Sequence, residues 1–345
     1  MWSYLKTVQK PIVLYGMGNG ADKVLAQLQR LQIPVQGVFA SDGFVRGHQF
    51  HGFDVLSYTQ AVELFGDMVV LLCFGSQRPE VLELFRRLDL QQELYAPDMP
   101  IAGEGLFDTA YYHAHQAELE FVRSRLADAQ SRLVFDCVVQ YKLSGKIAPL
   151  FACQTPVEEA YGAILKLCNH ERFLDLGAYS GDTIEQFLQH VQGYEALYAV
   201  EPDPKNFAKL QKRTSRLSNC YLYQVGIHSE PGQLPFCVRA GRNSQLGSGG
   251  TLIEVESVDH LLDGRPVTYL KLDVEGQESA ALKGAAETIG RYHPKLLVSC
   301  YHRTEDLFAL PIQVLELCPD YKLYLRHHPY VPAWDTNYYF VHTSQ

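Results

Sequence analysis

"RFLDLGAYSGDTIEQFL" (residues 172–188) runs from an apolar strand through a turn bracketed by two glycines into a sequence with helical spacing. Strand, Gly-rich turn and helix together are how α/β folds hold a nucleotide-like ligand, because the backbone can approach it closely and the helix start offers free N–H groups. A second such turn, "PIVLYGMGNGADKVLAQL", lies at residues 11–28. The fold therefore reads as two α/β units.

Working outward from both turns gives the same alternation. Between Pro11 and about Pro100, the strand patterns "IVLYG", "VQGVFA" and "MVVLLCFG" alternate with the helical patterns "ADKVLAQLQRL", "TQAVELFG" and "PEVLELFRRL". Residues 107–170, including "AELEFVRSRLADAQSRLVFDCVVQYKL", carry helical periodicity and no strand signal. From Arg172 the strand patterns are "RFLDLG", "ALYAVEP", "NCYLYQVGI", "VTYLKLDVEG", "KLLVSCYH", "YKLYLRHH" and "NYYFVH". The last two are too close to admit a helix between them, which predicts an antiparallel hairpin closing a seven-stranded, otherwise parallel sheet. The expected organisation is an α/β protein: a Rossmann-like domain at 1–106, a helical connector at 107–170 and a second Rossmann-like domain at 171–345, each domain with its own core. "AGRNSQLGSGG" (240–250) reads as a mobile loop.

Composition narrows the class. The chain has 345 residues, 47% hydrophobic and 20% charged, with a net charge of −9 and no basic run, which argues against a nucleic-acid partner. Its eight cysteines form no C-x-x-C pair and no Cys/His cluster, as in proteins that keep their thiols reduced. "MWSYLKTVQKP" has no apolar h-region, and the run "MVVLLCF" is too short to span a bilayer. The expectation is a cytoplasmic protein with no membrane partner.

Chemistry concentrates around the turn at 172–188. Asp175 sits inside the first strand, Gly177 and Gly181 bracket the turn, and Asp182 or Thr183 can cap the helix. Glu201, in "YAVEPD", stands at the tip of the next strand, where a carboxylate accepts hydrogen bonds from a ribose diol. A carboxylate beside the turn suits a ligand bearing an amine and a sulfonium better than a polyanion. That combination points to S-adenosylmethionine.

"FLDLGAYSGDT", "AVEPDPKNF", "YLKLDVEGQESAALKGA" and "PKLLVSCYH" resemble the signature segments of the FkbM-type methyltransferase family over about residues 170–342. The resemblance implies a class I methyltransferase fold and methyl transfer from S-adenosylmethionine, typically to a hydroxyl of a sugar or polyketide-like acceptor. Carried over by position, it implies that Asp175, Gly177, Gly181 and Glu201 hold the cofactor, with Val225 or Gly226 of "YQVGIH" against the adenine. Tyr179 replaces the Asn of the family's more usual turn, which implies a different grip on the methionine end; "SCYH" lacks the acid that often precedes the His.

Asp273, Glu275 and His302 fall just after the fourth and fifth strands, where open α/β sheets bind ligands. His302 is the expected general base for an acceptor hydroxyl, since imidazole titrates near neutrality. Asp273 is the expected acceptor-positioning group, or the partner that orients His302. Asp273 also belongs to the expected cofactor site, and Glu275, Tyr301 and His302 to the expected substrate site. Glu278 reads as an exposed helix residue, and a divalent metal on Asp273, Glu275 and His302 is weighed but not adopted. Asn243, Ser244 and Ser248 would belong to a lid.

The first turn, "YGMGNGA", with Asp42 downstream, is similar to the nucleotide-sugar-binding N-terminal domain of sugar acyltransferases, which implies a nucleotide-sugar there or a degenerate, ligand-free domain. The reading is an S-adenosylmethionine-dependent O-methyltransferase acting on a small-molecule or glycan acceptor, with homo-oligomerisation open. The rivals are an NAD- or nucleotide-sugar-dependent oxidoreductase built on "GMGNGA" and a non-catalytic cofactor-binding module.

Overall fold

Four apolar residues, Ile12–Tyr15, form β1, buried on both faces as a central parallel strand must be. The computed structural model describes residues 1–45, 47–237, 245–246 and 250–344. β1 is followed by β2 (Gly37–Phe39), β3 (Gln49–Phe50), β4 (Phe53–Leu56), β5 (Val69–Leu72) and β6 (Glu93–Tyr95), which assemble in the order β3-β4-β2-β1-β5-β6. All pairs are parallel except β3–β4. The three expected strands are its centre; β3, β4 and β6 are additions whose short runs carry too few residues for a periodic signal.

Every element from 109 to 165 is helical: Thr109–Ala114, Gln116–Arg125, Ala129–Ser144, Ala148–Cys153, Val157–Glu159 and a π-helix at Ala160–Leu165. The 129–144 helix starts on an Asp128 cap, whose side chain accepts from Ser131 N, and ends at Gly145 in the left-handed region.

The chain then forms β7 (Arg172–Leu176), β8 (Ala196–Val200) and β9 (Cys220–Tyr223). A separate four-stranded sheet, β10 (Gly226–Ile227), β11 (Gly232–Cys237), β12 (Gln245–Leu246) and β13 (Thr251–Glu256), intervenes, ordered β10-β13-β11-β12. β14 (Tyr269–Leu272), β15 (Lys295–Ser299), β16 (Tyr321–His327) and β17 (Thr336–His342) complete the second large sheet, ordered β16-β17-β15-β14-β7-β8-β9. All seven expected strands are present, and β16 and β17 form the antiparallel hairpin. The small sheet escapes a sequence reading because Gly232 and Pro235 lie inside β11, residues that ordinarily mark non-strand. The expected lid residues Asn243, Ser244 and Ser248 lie outside the described residues.

The 129–144 helix covers edge strand β16: Leu325 N donates to Ser131 Oγ at 3.0 Å, and Arg326 pairs with Asp128 at 2.7 Å and Glu159 at 2.9 Å. One apolar core runs from Val70 and Phe85 through Tyr141 to Leu174, Leu270 and Phe340. The first sheet, the helices and the second sheet thus share buried surface, beside a separate apolar cluster in each half, around Leu14 and Val69 in the first and around Phe173 and Tyr269 in the second. Among the described residues no helix is long and apolar enough to cross a membrane.

Candidate active site

β7 and β14 lie side by side and diverge to flanking strands β8 and β15, so a crevice opens beyond their carboxyl ends. Gly177 follows β7 at φ +80, and a Cβ there would sit 1.9 Å from the Asp273 carbonyl oxygen. Only glycine lets the two strand ends stay this close. Gly177 N and Ala178 N donate to Val200 O at 3.1 and 2.9 Å, and Gly181 caps the Asp182–His190 helix. Tyr179 adopts φ +47, a left-handed conformation that Asn tolerates far better than Tyr.

Glu201 lies one residue past β8 and is 6% exposed. Its Oε2 accepts from Tyr179 N at 2.9 Å and its Oε1 from Asp203 N at 2.8 Å. Burial pushes its carboxyl up to about 7, with the two backbone donors pulling the other way. Each oxygen retains a second lone pair.

A cleft of about 670 Å³ brings most of the expected site residues together. Gly177, Tyr179, Glu201, Val225, Gly226, Asp273, Glu275 and Tyr301 all line it. Gln77 and Ile101 of the N-terminal half line it too, which the sequence did not signal.

Three expected residues do not line it: Gly181, Asp175 and His302. Asp175 is wholly buried, and its Oδ1 accepts from Lys271 Nζ at 3.0 Å. The Lys271 ammonium, which also reaches Gly177 O at 3.3 Å and stands 3.8 Å from Asp273 Oδ2, already balances the charge that was expected to hold a ligand amine. Burial raises the Asp175 carboxyl and Lys271 opposes that shift. Lys271 lines the cleft and was overlooked; a lysine inside the apolar strand "YLKL" was the available signal.

His302 is also wholly buried. Its Nδ1 is 3.0 Å from Glu278 Oε1, and its Nε2 is 3.4 Å from Asp273 Oδ1 and 3.7 Å from Glu275 Oε2. These are ion-pair distances; neither nitrogen makes an aligned hydrogen bond. Burial disfavours the charged ring, but Glu278, Glu275 and Asp273 outweigh it and push the imidazole up to about 10. His302 does not line the cleft, and a ring held protonated by its acidic neighbours is poorly placed to accept a proton. Glu278, expected on an exposed face, is 1% exposed and is the imidazolium's partner. Asp306, also buried, is pushed up to about 7 by burial and by Glu278. The donor atoms of Asp273, Glu278 and His302 lie within 4.8 Å of one another. Carboxylates stand off both ring nitrogens, which suits an imidazolium better than a single coordinated cation.

Asp273 is one of the carboxylates that line the cleft, its Oδ1 accepting from Tyr301 OH at 3.1 Å. At the first turn, Gly20 packs so tightly that a Cβ would lie 2.0 Å from Cys73 O. Close helix–strand packing thus accounts for that glycine, and none of residues 16–21 lines the cleft.

The sheet order and the position of the cleft define a class I methyltransferase fold. Residues 175–332 match the methyltransferase FkbM domain, so this part of the chain carries a domain of S-adenosylmethionine-dependent methyltransferases. The crystal structure of an FkbM methyltransferase from Methylobacillus flagellatus KT superposes with a TM-score of 0.76 at 22% identity, covering 96% of this chain and 90% of that one. That match shows a shared fold over nearly the whole chain, N-terminal half included. An rRNA methylase from Streptococcus thermophilus (TM-score 0.37, 15% identity, 55% of this chain and 96% of that one) is far less similar. So is Aeropyrum pernix fibrillarin with natively bound S-adenosyl-L-methionine (0.33, 17%, 50% and 67%). No curated protein matches the chain. The methyltransferase FkbM domain match decides for methyl transfer over the hydride transfer and the purely binding role considered from sequence.

The residues present suit S-adenosylmethionine. The cleft has the volume of a cofactor plus a small acceptor, Gly177 leaves its floor without a side chain, and Glu201 offers lone pairs to a diol.

Proposed function

We propose that the protein methylates a hydroxyl of a sugar or related small-molecule or glycan acceptor. Glu201 takes the ribose hydroxyls, Val225 and Gly226 flank the adenine, and Gly177, Tyr179 and the helix start at Gly181 hold the remainder of the cofactor. S-Adenosylmethionine supplies an electrophilic methyl group on a sulfonium, so the protein's task is chiefly alignment. Asp273 is the residue that accepts the acceptor's O–H and draws off its proton. Tyr301 OH and the His302 imidazolium fix that carboxylate at 3.1 and 3.4 Å, so His302 acts as a positioning residue.

The observation carrying this reading is that Glu201, Gly177 and Asp273 line one cleft beyond the strand ends. Its test is transfer of a labelled methyl group to a panel of methyl glycosides. Asp273→Asn is expected to lower kcat by about 10²- to 10⁴-fold while S-adenosylhomocysteine affinity by calorimetry changes less than about threefold, roughly 0.6 kcal/mol. Full activity of Asp273→Asn would remove it from the chemistry.

A further inference from the structure

We infer that the N-terminal half forms the acceptor-side wall of the methyl-transfer cleft, so that a carbohydrate acceptor is held between the Tyr330 and Trp334 rings and the Gln77 amide. This rests on the carbohydrate reading of the acceptor proposed above and adds the residues that select it.

Two segments beyond the strand ends of the first sheet reach the cleft. The segment after β5 reaches it at Gln77. There Ser76 N donates to Val331 O at 2.9 Å and Val331 N to Ser76 O at 3.1 Å, a backbone bridge between the halves. The bridge fixes the neighbouring rings. A Cβ on Gly75 would lie 2.8 Å from both Trp334 and Tyr330, so these aromatics press directly on the Gly75 backbone. The two rings are tilted by 45° at 5.8 Å and both line the cleft.

The second segment follows β6 and reaches the cleft at Ile101. Its backbone N–H groups at Ile101 and Ala102 both donate to His302 O, at 2.8 and 2.9 Å. Lys23, on the helix after the Gly-rich turn, donates to Pro100 O at 2.7 Å and Ile101 O at 3.0 Å. A turn of the kind that elsewhere cradles a nucleotide thus starts a helix whose lysine holds a wall of the other half's cleft.

The chemistry of this wall fits a saccharide. Aromatic rings present broad apolar faces to a sugar's C–H groups, while a few placed polar groups select its hydroxyls. Gln77 supplies both a donor and an acceptor. Asn337 and Asp335, joined by a 2.8 Å hydrogen bond from Asn337 Nδ2, also line the cleft and add polar atoms to it.

Trp2 and Trp334 are the two tryptophans, so Trp2→Phe leaves Trp334 as sole reporter. In that background, loaded with S-adenosylhomocysteine, methyl glycosides and disaccharides are titrated while indole emission is followed, and KM is measured for any that are methylated. The expected result is a saturable emission change with at least one saccharide, with KM raised tenfold or more in Gln77→Ala and in Trp334→Leu and S-adenosylhomocysteine affinity kept within twofold. A methylated saccharide whose KM is unchanged in both variants overturns the wall and leaves the acceptor class standing. Absence of any emission change or turnover with saccharides, in protein that binds S-adenosylhomocysteine, overturns the acceptor class and this inference with it.

Discussion

Replacing Glu201 by Gln separates the cofactor contact from the fold around it. In the native cleft both carboxylate oxygens accept from backbone, Oε2 from Tyr179 N and Oε1 from Asp203 N. Both retain capacity for a diol. The amide keeps one acceptor oxygen and turns an NH₂ toward a backbone N–H, so one buried donor pair opposes another and the charge-assisted bonds to ligand hydroxyls weaken. Hydrogen bonds to a charged group contribute about 1.5–3 kcal/mol each. The loss of one therefore weakens S-adenosylhomocysteine by about 10- to 150-fold in calorimetry.

The same group gives a pH signature. The Glu201 carboxyl rises from 4.5 to about 7 on burial. Its neutral form favours the free protein below 4.5, and that contribution is lost as pH rises through about 7, whereas cofactor hydroxyls favour the ionised form. With a pKa of about 7, about a tenth is ionised at pH 6 and nine tenths at pH 8, so wild-type affinity rises about ninefold over that interval. Glu201→Gln is flat over it. Circular dichroism of the free variant establishes that it folds, and Glu201→Asp, too short to reach both backbone donors, serves as a second variant. A Kd within twofold of wild type for both variants, together with a flat wild-type profile, would refute the assignment of Glu201 to the ribose.

Three further outcomes follow from the strand ends. Gly177→Ala forces a side chain into a left-handed backbone and against Asp273 O; it should cost at least about 2 kcal/mol in denaturant unfolding and abolish S-adenosylhomocysteine binding, and a normal unfolding midpoint would contradict the packing argument. Lys271→Met leaves Asp175 buried without its ammonium and should destabilise by about 3–5 kcal/mol, with Asp175→Asn restoring part of the loss in the double variant; equal midpoints for the single and double variants would contradict the pairing. His302 is raised from 6.5 to about 10, so its contribution is complete below pH 6.5 and is lost as pH rises through 10. Wild-type melting temperature should fall across that window, and His302→Gln should melt lower at pH 7 without that fall, whereas parallel profiles would contradict the imidazolium.

The second sheet was legible because its strands are long, apolar and punctuated by glycine and acid at recurring places: "RFLDLG", "ALYAVEP" and "YLKLDVEG" each announce a strand and what stands at its tip. Gly177, Tyr179, Glu201, Val225, Gly226, Asp273, Glu275 and Tyr301 reach the cleft because they sit at those tips or just beyond them, and position along a strand is what periodicity reports. What it does not report is which neighbour meets a side chain across the sheet. Lys271 is register partner to Asp175, and that pairing of residues 96 apart turned an expected ligand contact into an internal ion pair. Glu278 followed an acid-rich turn and looked exposed; only the packing of its helix brings it to His302.

The buried setting of His302 bears on the mechanism. An isolated imidazole near neutrality is a good proton acceptor, but this one is enclosed by Asp273, Glu275 and Glu278, with Asp306 close to Glu278. Several buried carboxylates and one ring cannot all hold their ordinary protonation states, and the least costly arrangement keeps the proton on the ring. The ring, 3.4 Å from Asp273 Oδ1, and the Lys271 ammonium, 3.8 Å from Oδ2, flank that carboxylate at the cleft. A hydroxyl attacking a sulfonium methyl group gives up its proton only as the new bond forms, so a well-positioned acceptor matters more than a strong base. Ile101 N and Ala102 N bond the backbone of His302, so the residue whose ring faces Asp273 is also where the N-terminal half grips the cleft wall. On the proposal that Asp273 takes the acceptor's proton, acceptor recognition and transfer would meet at this one residue, which does not itself line the cleft.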